Sequence, residues 1–124
     1  MQLAQENPDF VYVLRGISDA GVLVNQETVT RSFLLTPHLI VQDWRPTSAA
    51  DLLPEDLLAA LELEPALVLL GTGPRQKFPS AAAMAALLTR GIGIEVMDSG
   101  AAARTFNVLA TEGRKVVAAF LLPG

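Results

Sequence analysis

The chain has 124 residues, 51% apolar and 18% charged, which suits one folded domain spanning 1–124 with little disordered character. It has no cysteine and one histidine, His38, so a disulfide framework, a thiolate nucleophile and Cys-ligated or multi-His metal sites are excluded. Net charge is −4 but uneven: residues 1–70 carry three arginines against ten carboxylates, net −7, and residues 71–124 six cations against three carboxylates, net +3.

That asymmetry puts a positive region on an acidic protein, either neutralised across the fold by its own carboxylates or open to an anionic partner. Six cations offer no stripe along a phosphate backbone, so nucleic acid is not an expected partner. MQLAQENPDF lacks the basic and apolar regions of a signal peptide. The runs VLVN, ALVLLG and VVAAFLLPG fall short of the roughly 18–20 residues of a membrane span. The expectation is a cytoplasmic protein, monomer or homodimer, with no metal and no cofactor.

In chain order, FVYVL (10–14) and VLV (22–24) are rich in β-formers, and Ser18-Asp19-Ala20-Gly21 between them is turn chemistry. Asn25-Gln26-Glu27 then leads to TVTRSFLL (28–35), which predicts one strand with Val29, Phe33 and Leu35 on a shared face. Pro37 ends it, and His38, at the start of the next strand, is expected on the surface. LIVQDW (39–44) predicts that strand, with Ile40 and Trp44 on one side and Leu39 and Val41 on the other. The N-terminal part therefore predicts an antiparallel β-meander.

RPTSAADLLPEDLLAALEL predicts a helix, with Thr47 and Ser48 as candidate N-caps and Pro54 at a first helical position. Leu57, Leu58 and Leu61 form its apolar stripe, and Pro65 closes it. ALVLLG is an unbroken apolar run, as in a strand covered on both faces. A helix starting at Pro79 and stopped by Gly91, the strand IGIEVM, a helix ending at Gly113 and the strand KVVAAFLL complete the pattern. Alternating strands and helices at this spacing imply a parallel sheet with right-handed crossovers. The fold class is α/β.

In such sheets a ligand sits beyond the carboxyl ends of the strands, where helix N-termini present free N–H groups. Two loops qualify: Gly71-Thr72-Gly73-Pro74-Arg75-Gln76-Lys77-Phe78-Pro79 and Asp98-Ser99-Gly100-Ala101. Gly71 and Gly73 permit close backbone approach and Thr72 offers a hydroxyl. Neither a Walker loop nor a dinucleotide fingerprint is present. Arg75, Lys77 and Arg104 lie near helix N-termini, where the macrodipole disfavours positive charge by about 0.3–1 kcal/mol. They require an anion, supplied by Asp98 or Glu95 within the chain or by a ligand from outside. Thr105 and Asn107 flank Arg104. Glu95, opposite in direction to Ile94 and Val96, would be buried in a sheet covered on both faces and would need a cation such as Arg75, Arg104 or Arg114. Trp44, Phe106 and Leu109 are candidate core residues.

GTGPRQKFP followed by GIGIEVMDSGAAARTFNVLATEGRKVVAAFL resembles a widespread family of small domains of unknown function. That family includes bacterial and archaeal single-domain proteins, a mammalian adipogenesis-associated protein and a mitochondrial respiratory complex I assembly factor. The resemblance implies three layers: a central, mostly parallel mixed sheet, helices on one side and a β-meander on the other. It carries over Gly71, Thr72, Gly73, Gln76, Glu95, Met97, Arg104, Thr105 and Asn107. Ala103 stands where many relatives have cysteine and Ser99 where many have threonine, so a cysteine nucleophile is not available here.

Two functions follow. The favoured one is a non-enzymatic binding or assembly-accessory protein whose positive crevice takes an anionic group of a protein partner or small molecule. Its residues are Gly71, Thr72, Gly73, Arg75, Gln76, Ser99, Arg104, Thr105 and Asn107. The alternative is an enzyme acting on a small anionic substrate, with Glu95 as acid/base and Arg75 and Arg104 as anion clamps.

Overall fold

The computed structural model describes residues 2–3 and 11–123. Its strands are β1 (Gln2–Leu3), β2 (Leu14–Ser18), β3 (Gly21–Val24), β4 (Glu27–Val29), β5 (Phe33–Leu35), β6 (Ile40–Gln42), β7 (Leu67–Gly71), β8 (Gly93–Met97) and β9 (Val116–Phe120). The helices are α1 (Pro54–Leu61), α2 (Ala81–Leu88) and α3 (Ser99–Thr111). A mixed six-stranded sheet has the order β1-β6-β5-β9-β7-β8, and β2, β3 and β4 form a second, antiparallel sheet. β9, β7 and β8 run parallel, whereas β5, β6 and β1 join antiparallel.

Two cores lie on opposite faces of the large sheet. Alternation along the central strands assigns each residue: Val68, Leu70, Val117 and Ala119 face one core, and Leu69, Val116, Ala118 and Phe120 the other. Both faces being covered is why these segments read as continuous apolar runs. The first core is closed by Leu57 and Ala60 of α1 and Ala83, Ala86 and Leu87 of α2. The second is closed by Leu14, Val22 and Val24 of the small sheet together with Ala102, Ala103 and Phe106 of α3. The result is the expected three-layer α/β architecture with a mixed central sheet, but that sheet is not mostly parallel. Three of its five strand pairings are antiparallel, because the N-terminal strands β1, β6 and β5 extend it beside β9. α3 lies on the meander's side of the sheet, because the chain returning from β8 to β9 crosses the face opposite to α2.

Local chemistry explains the helix ends. Ser80 Oγ accepts the Ala83 N–H at 3.1 Å, so α2 starts at Ala81, and Pro79 precedes the cap instead of opening the helix. Across left-handed Gly91 and Gly113 the chain closes with Ile92 N–H on Leu87 O and Arg114 N–H on Leu109 O, both at 3.1 Å. α1 has Leu53 at its N-cap and not Thr47 or Ser48. The Asp56 carboxylate reaches back to accept the Leu53 N–H at 2.8 Å. Arg45 grips the same carboxylate through Nε at 3.0 Å and Nη2 at 2.6 Å, and Trp44 Nε1 donates to Asp56 O at 3.0 Å. The Asp56 and Asp51 bonds hold the Arg45 guanidinium above its ordinary pKa, and the Thr47 N–H and Arg45 pull Asp51 below the usual carboxylate value.

The N-terminal strands depart most from expectation. Phe10 of FVYVL lies outside the described residues. Val13 and Tyr12 are not in a strand, because Val13 N–H donates to Asn25 Oδ1 and Tyr12 N–H to Pro37 O. TVTRSFLL is two strands in two sheets. The chain turns a corner at buried Ser32, whose Oγ accepts the Leu122 N–H at 2.9 Å and donates to Leu122 O at 3.3 Å. Trp44 does not share a side with Ile40: Asp43 takes a positive φ of 56°, which breaks the strand alternation and turns the indole into the core holding Val41. His38 is half-buried.

Candidate functional site

β7 and β8 are adjacent and parallel, in register from Leu67–Gly93 to Gly71–Met97. Their chains leave for opposite faces, to α2 and α3, which defines the position where open α/β sheets place ligands. The two loops meet there. Thr72 N–H donates to Met97 O at 3.0 Å, Gly73 N–H to Ser99 Oγ at 2.8 Å, and Ser99 N–H to Gly73 O at 2.8 Å.

Most of the polar side chains at this end are engaged within the chain. Thr72 Oγ1 accepts the Lys77 N–H at 3.0 Å and faces the carbonyls of Arg75 at 2.6 Å and Met97 at 3.2 Å. The hydroxyl thus ties the loop into a ring. Ser99 is buried beneath Gly73. Gln76 Nε2 donates to Val96 O at 2.8 Å. Asn107 reaches the meander, donating to Leu14 O at 2.8 Å and accepting Leu14 N–H at 3.0 Å. Asp98 caps α3 by accepting the Ala101 N–H at 2.8 Å.

The glycines have distinct causes. A Cβ on Gly71 would lie 2.9 Å from Phe120 Cδ1 and 3.1 Å from Ser99 Oγ, so the residue permits close packing between strand and helix. Gly73 has a φ of 92°, which an L side chain rarely adopts, and it makes the turn that lets the loop fold back on Ser99.

The charges are left over. Arg75, Lys77 and Arg104 are exposed, and the ion pairs among the described residues are Arg31–Asp43, Arg45–Asp51 and Arg45–Asp56. Arg104 Nη1 and Asp98 Oδ1 flank the same point, 3.4 and 3.3 Å from where a Cβ on Gly100 would stand, without forming an ion pair. Thr105 is half-buried beside Arg104. Glu95 is not buried in an ion pair: β8 is an edge strand, and the side chain is exposed. Phe78 was not singled out by sequence, yet it is 65% exposed beside Lys77. The signal was an aromatic residue between a lysine and a proline in a polar loop.

Among the described residues no group of three or more His, Asp or Glu side chains could hold a metal, and no helix is long and apolar enough to cross a membrane. An open groove of about 400 Å³ lies elsewhere, lined by His38, Glu62, Glu64, Arg114 and Lys115.

The profile of a family described as a protein of unknown function, DUF498/DUF598, matches residues 14–121. The chain belongs to the DUF498/DUF598 family. This DUF498/DUF598 protein is 35% identical over 123 residues to NADH dehydrogenase (ubiquinone) 1 alpha subcomplex assembly factor 3 of Bos taurus, covering 98% of this chain and 66% of that protein. It thus spans just under two thirds of the length of that relative. A Xanthomonas campestris protein solved by NMR has 48% identity and a TM-score of 0.85, covering 100% of this chain and 94% of the other. A Bordetella pertussis Mth938-like domain, also solved by NMR, has 28% identity and a TM-score of 0.78, with the same coverage of 100% and 94%. The DUF498/DUF598 chain is therefore related to a complex I assembly factor and shares its fold with bacterial proteins.

Proposed function

We propose that this protein is a non-enzymatic binding or assembly-accessory domain. In this reading Arg75, Lys77 and Arg104 receive an anionic group, a carboxylate or phosphate, presented by a protein partner or a small molecule. The observation that carries it is a loop made rigid by its own hydrogen bonds that displays cations without internal carboxylate partners among the described residues. A fixed loop holds these cations without a large ordering cost on binding. The exposed Phe78 adds apolar contact beside the charge, the pairing expected of a protein-binding surface. The relationship to an assembly factor supports a protein partner. Thr72, Gln76 and Ser99 hold the loop in place, and Gly71 and Gly73 shape it.

Thermal unfolding tests the charge. Phosphate should raise Tm more than chloride at matched ionic strength, because a ligand bound only by the folded state stabilises it by mass action. The increment should shrink in Arg104→Ala and in Arg75→Ala, while the general salting effect persists. An increment equal in all three proteins means that these cations receive no anion, and the reading fails.

A further inference from the structure

β8 ends the large sheet, and among the described residues nothing pairs with its outer edge. The direction of its backbone groups follows from the ladder. Met97 O accepts from Thr72 on the β7 side, and alternate residues of a strand point the same way, so Ile94 and Val96 turn their N–H and C=O groups outward. One of these groups is covered: the Val96 carbonyl accepts from Gln76 Nε2 at 2.8 Å. The Ile94 N–H, Ile94 C=O and Val96 N–H face away from the sheet. Glu95 is exposed on this strand. Exposed apolar side chains come from the neighbouring elements: Phe78 from the loop that carries Gln76, and Leu88, 54% exposed, from α2, which packs on β8.

We propose that the outer edge of β8 accepts an extended segment of a partner protein as an added strand, and that Gln76 is the cap that moves aside to admit it. An uncovered edge is a template for strand pairing, and a single side-chain amide on one carbonyl is a cover that a backbone N–H can replace. Charge selects the occupant. A second copy engaging both Ile94 and Val96 in antiparallel pairing would set Glu95 against Glu95, and like charges directly opposite destabilise a pair. A segment with Lys or Arg opposite Glu95 gains where the second copy loses. The site uses backbone groups, Glu95 and the Gln76 cap; it shares the loop of Arg75 and Lys77 with the anion surface but does not use their charge or Arg104.

The probe is a blocked synthetic peptide, Thr-Val-Thr-Lys-Thr-Val-Thr, compared with its counterpart carrying Glu in place of Lys. Titration followed by NMR should slow exchange of the Ile94 and Val96 amides, and the Glu peptide should bind about two- to fivefold more weakly. Gln76→Ala should tighten binding of the Lys peptide. Ile94→Pro removes an outward N–H and spares the β7 ladder, so it should abolish binding. Should that variant not fold, Glu95→Lys decides, because it should reverse the preference between the two peptides. The proposal is overturned if the peptide leaves the Ile94 and Val96 amides unchanged, or if Gln76→Ala or Glu95→Lys has no effect on affinity. Self-association of Gln76→Ala through β8 would equally overturn it, in favour of a second copy. No phosphate or Arg104 readout enters, so this proposal and the anion surface fail separately.

Discussion

Asn107 acts as a piece of strand. Its amide pairs with both backbone groups of Leu14, a residue that is itself buried, and so holds α3 to the meander. Asn107→Ala would leave a donor and an acceptor without partners, each costing about 1–3 kcal/mol when burial denies them water. Urea unfolding should show a loss of about 2–4 kcal/mol, with faster amide exchange in β2 as the local sign. A loss below about 0.5 kcal/mol would mean that water replaces the amide fully. The sequence offered Asn107 as a ligand-binding candidate on the helix of Arg104, and its amide is instead engaged with Leu14. Its target could not be read, because Leu14 lies 93 positions away. Thr72, Gln76 and Ser99 repeat the lesson: residue type announces a hydrogen bond, and only the fold decides whether a ligand or the backbone receives it.

The elements of the second part were legible because each carries two agreeing signals. β7 and β9 combine an apolar run with flanking turns, and α2 and α3 end at glycines that adopt the left-handed conformation a helix stop needs. The meander was less legible, since a corner at Ser32 and a positive φ at Asp43 reset the alternation within apparently continuous strands. The Ser32 corner depends on contacts with Leu122, which no local pattern contains. Glu95 was misplaced for a related reason: IGIEVM does not say whether its strand is central or at an edge. At the end of β7, glycine is required by space and not by conformation. Gly71→Ala would drive a Cβ to 2.9 Å from Phe120 Cδ1 and should cost about 1–3 kcal/mol in chemical denaturation. Gly73→Ala meets no atom within 4 Å and suffers only backbone strain, about 1–2 kcal/mol, while altering the loop that carries Arg75 and Lys77. If Gly71→Ala proved neutral, the Phe120 ring and the Ser99 hydroxyl would have to yield at little cost.

For the molecule as a whole, β9 is the strand that joins the two halves of the sheet, with antiparallel β5 on one side and parallel β7 on the other. All five of its residues are buried. Native-state hydrogen exchange should therefore find the slowest amides in β9 and β7, and fast exchange at the outward Ile94 of β8. Slow exchange at Ile94 in the isolated protein would show that its edge is already covered. The position of β9 has a kinetic consequence as well. Its seam with the N-terminal part is sealed by Ser32 and Leu122, which are 90 positions apart. The chain must close a loop of about that size before the interior strand gains β5, and such distant closure raises contact order and slows folding. Substitutions in β9 should then divide by timing. Where β9 docks after the barrier they should speed unfolding, and where its docking is the barrier they should slow refolding, so this one strand reports when the two halves meet.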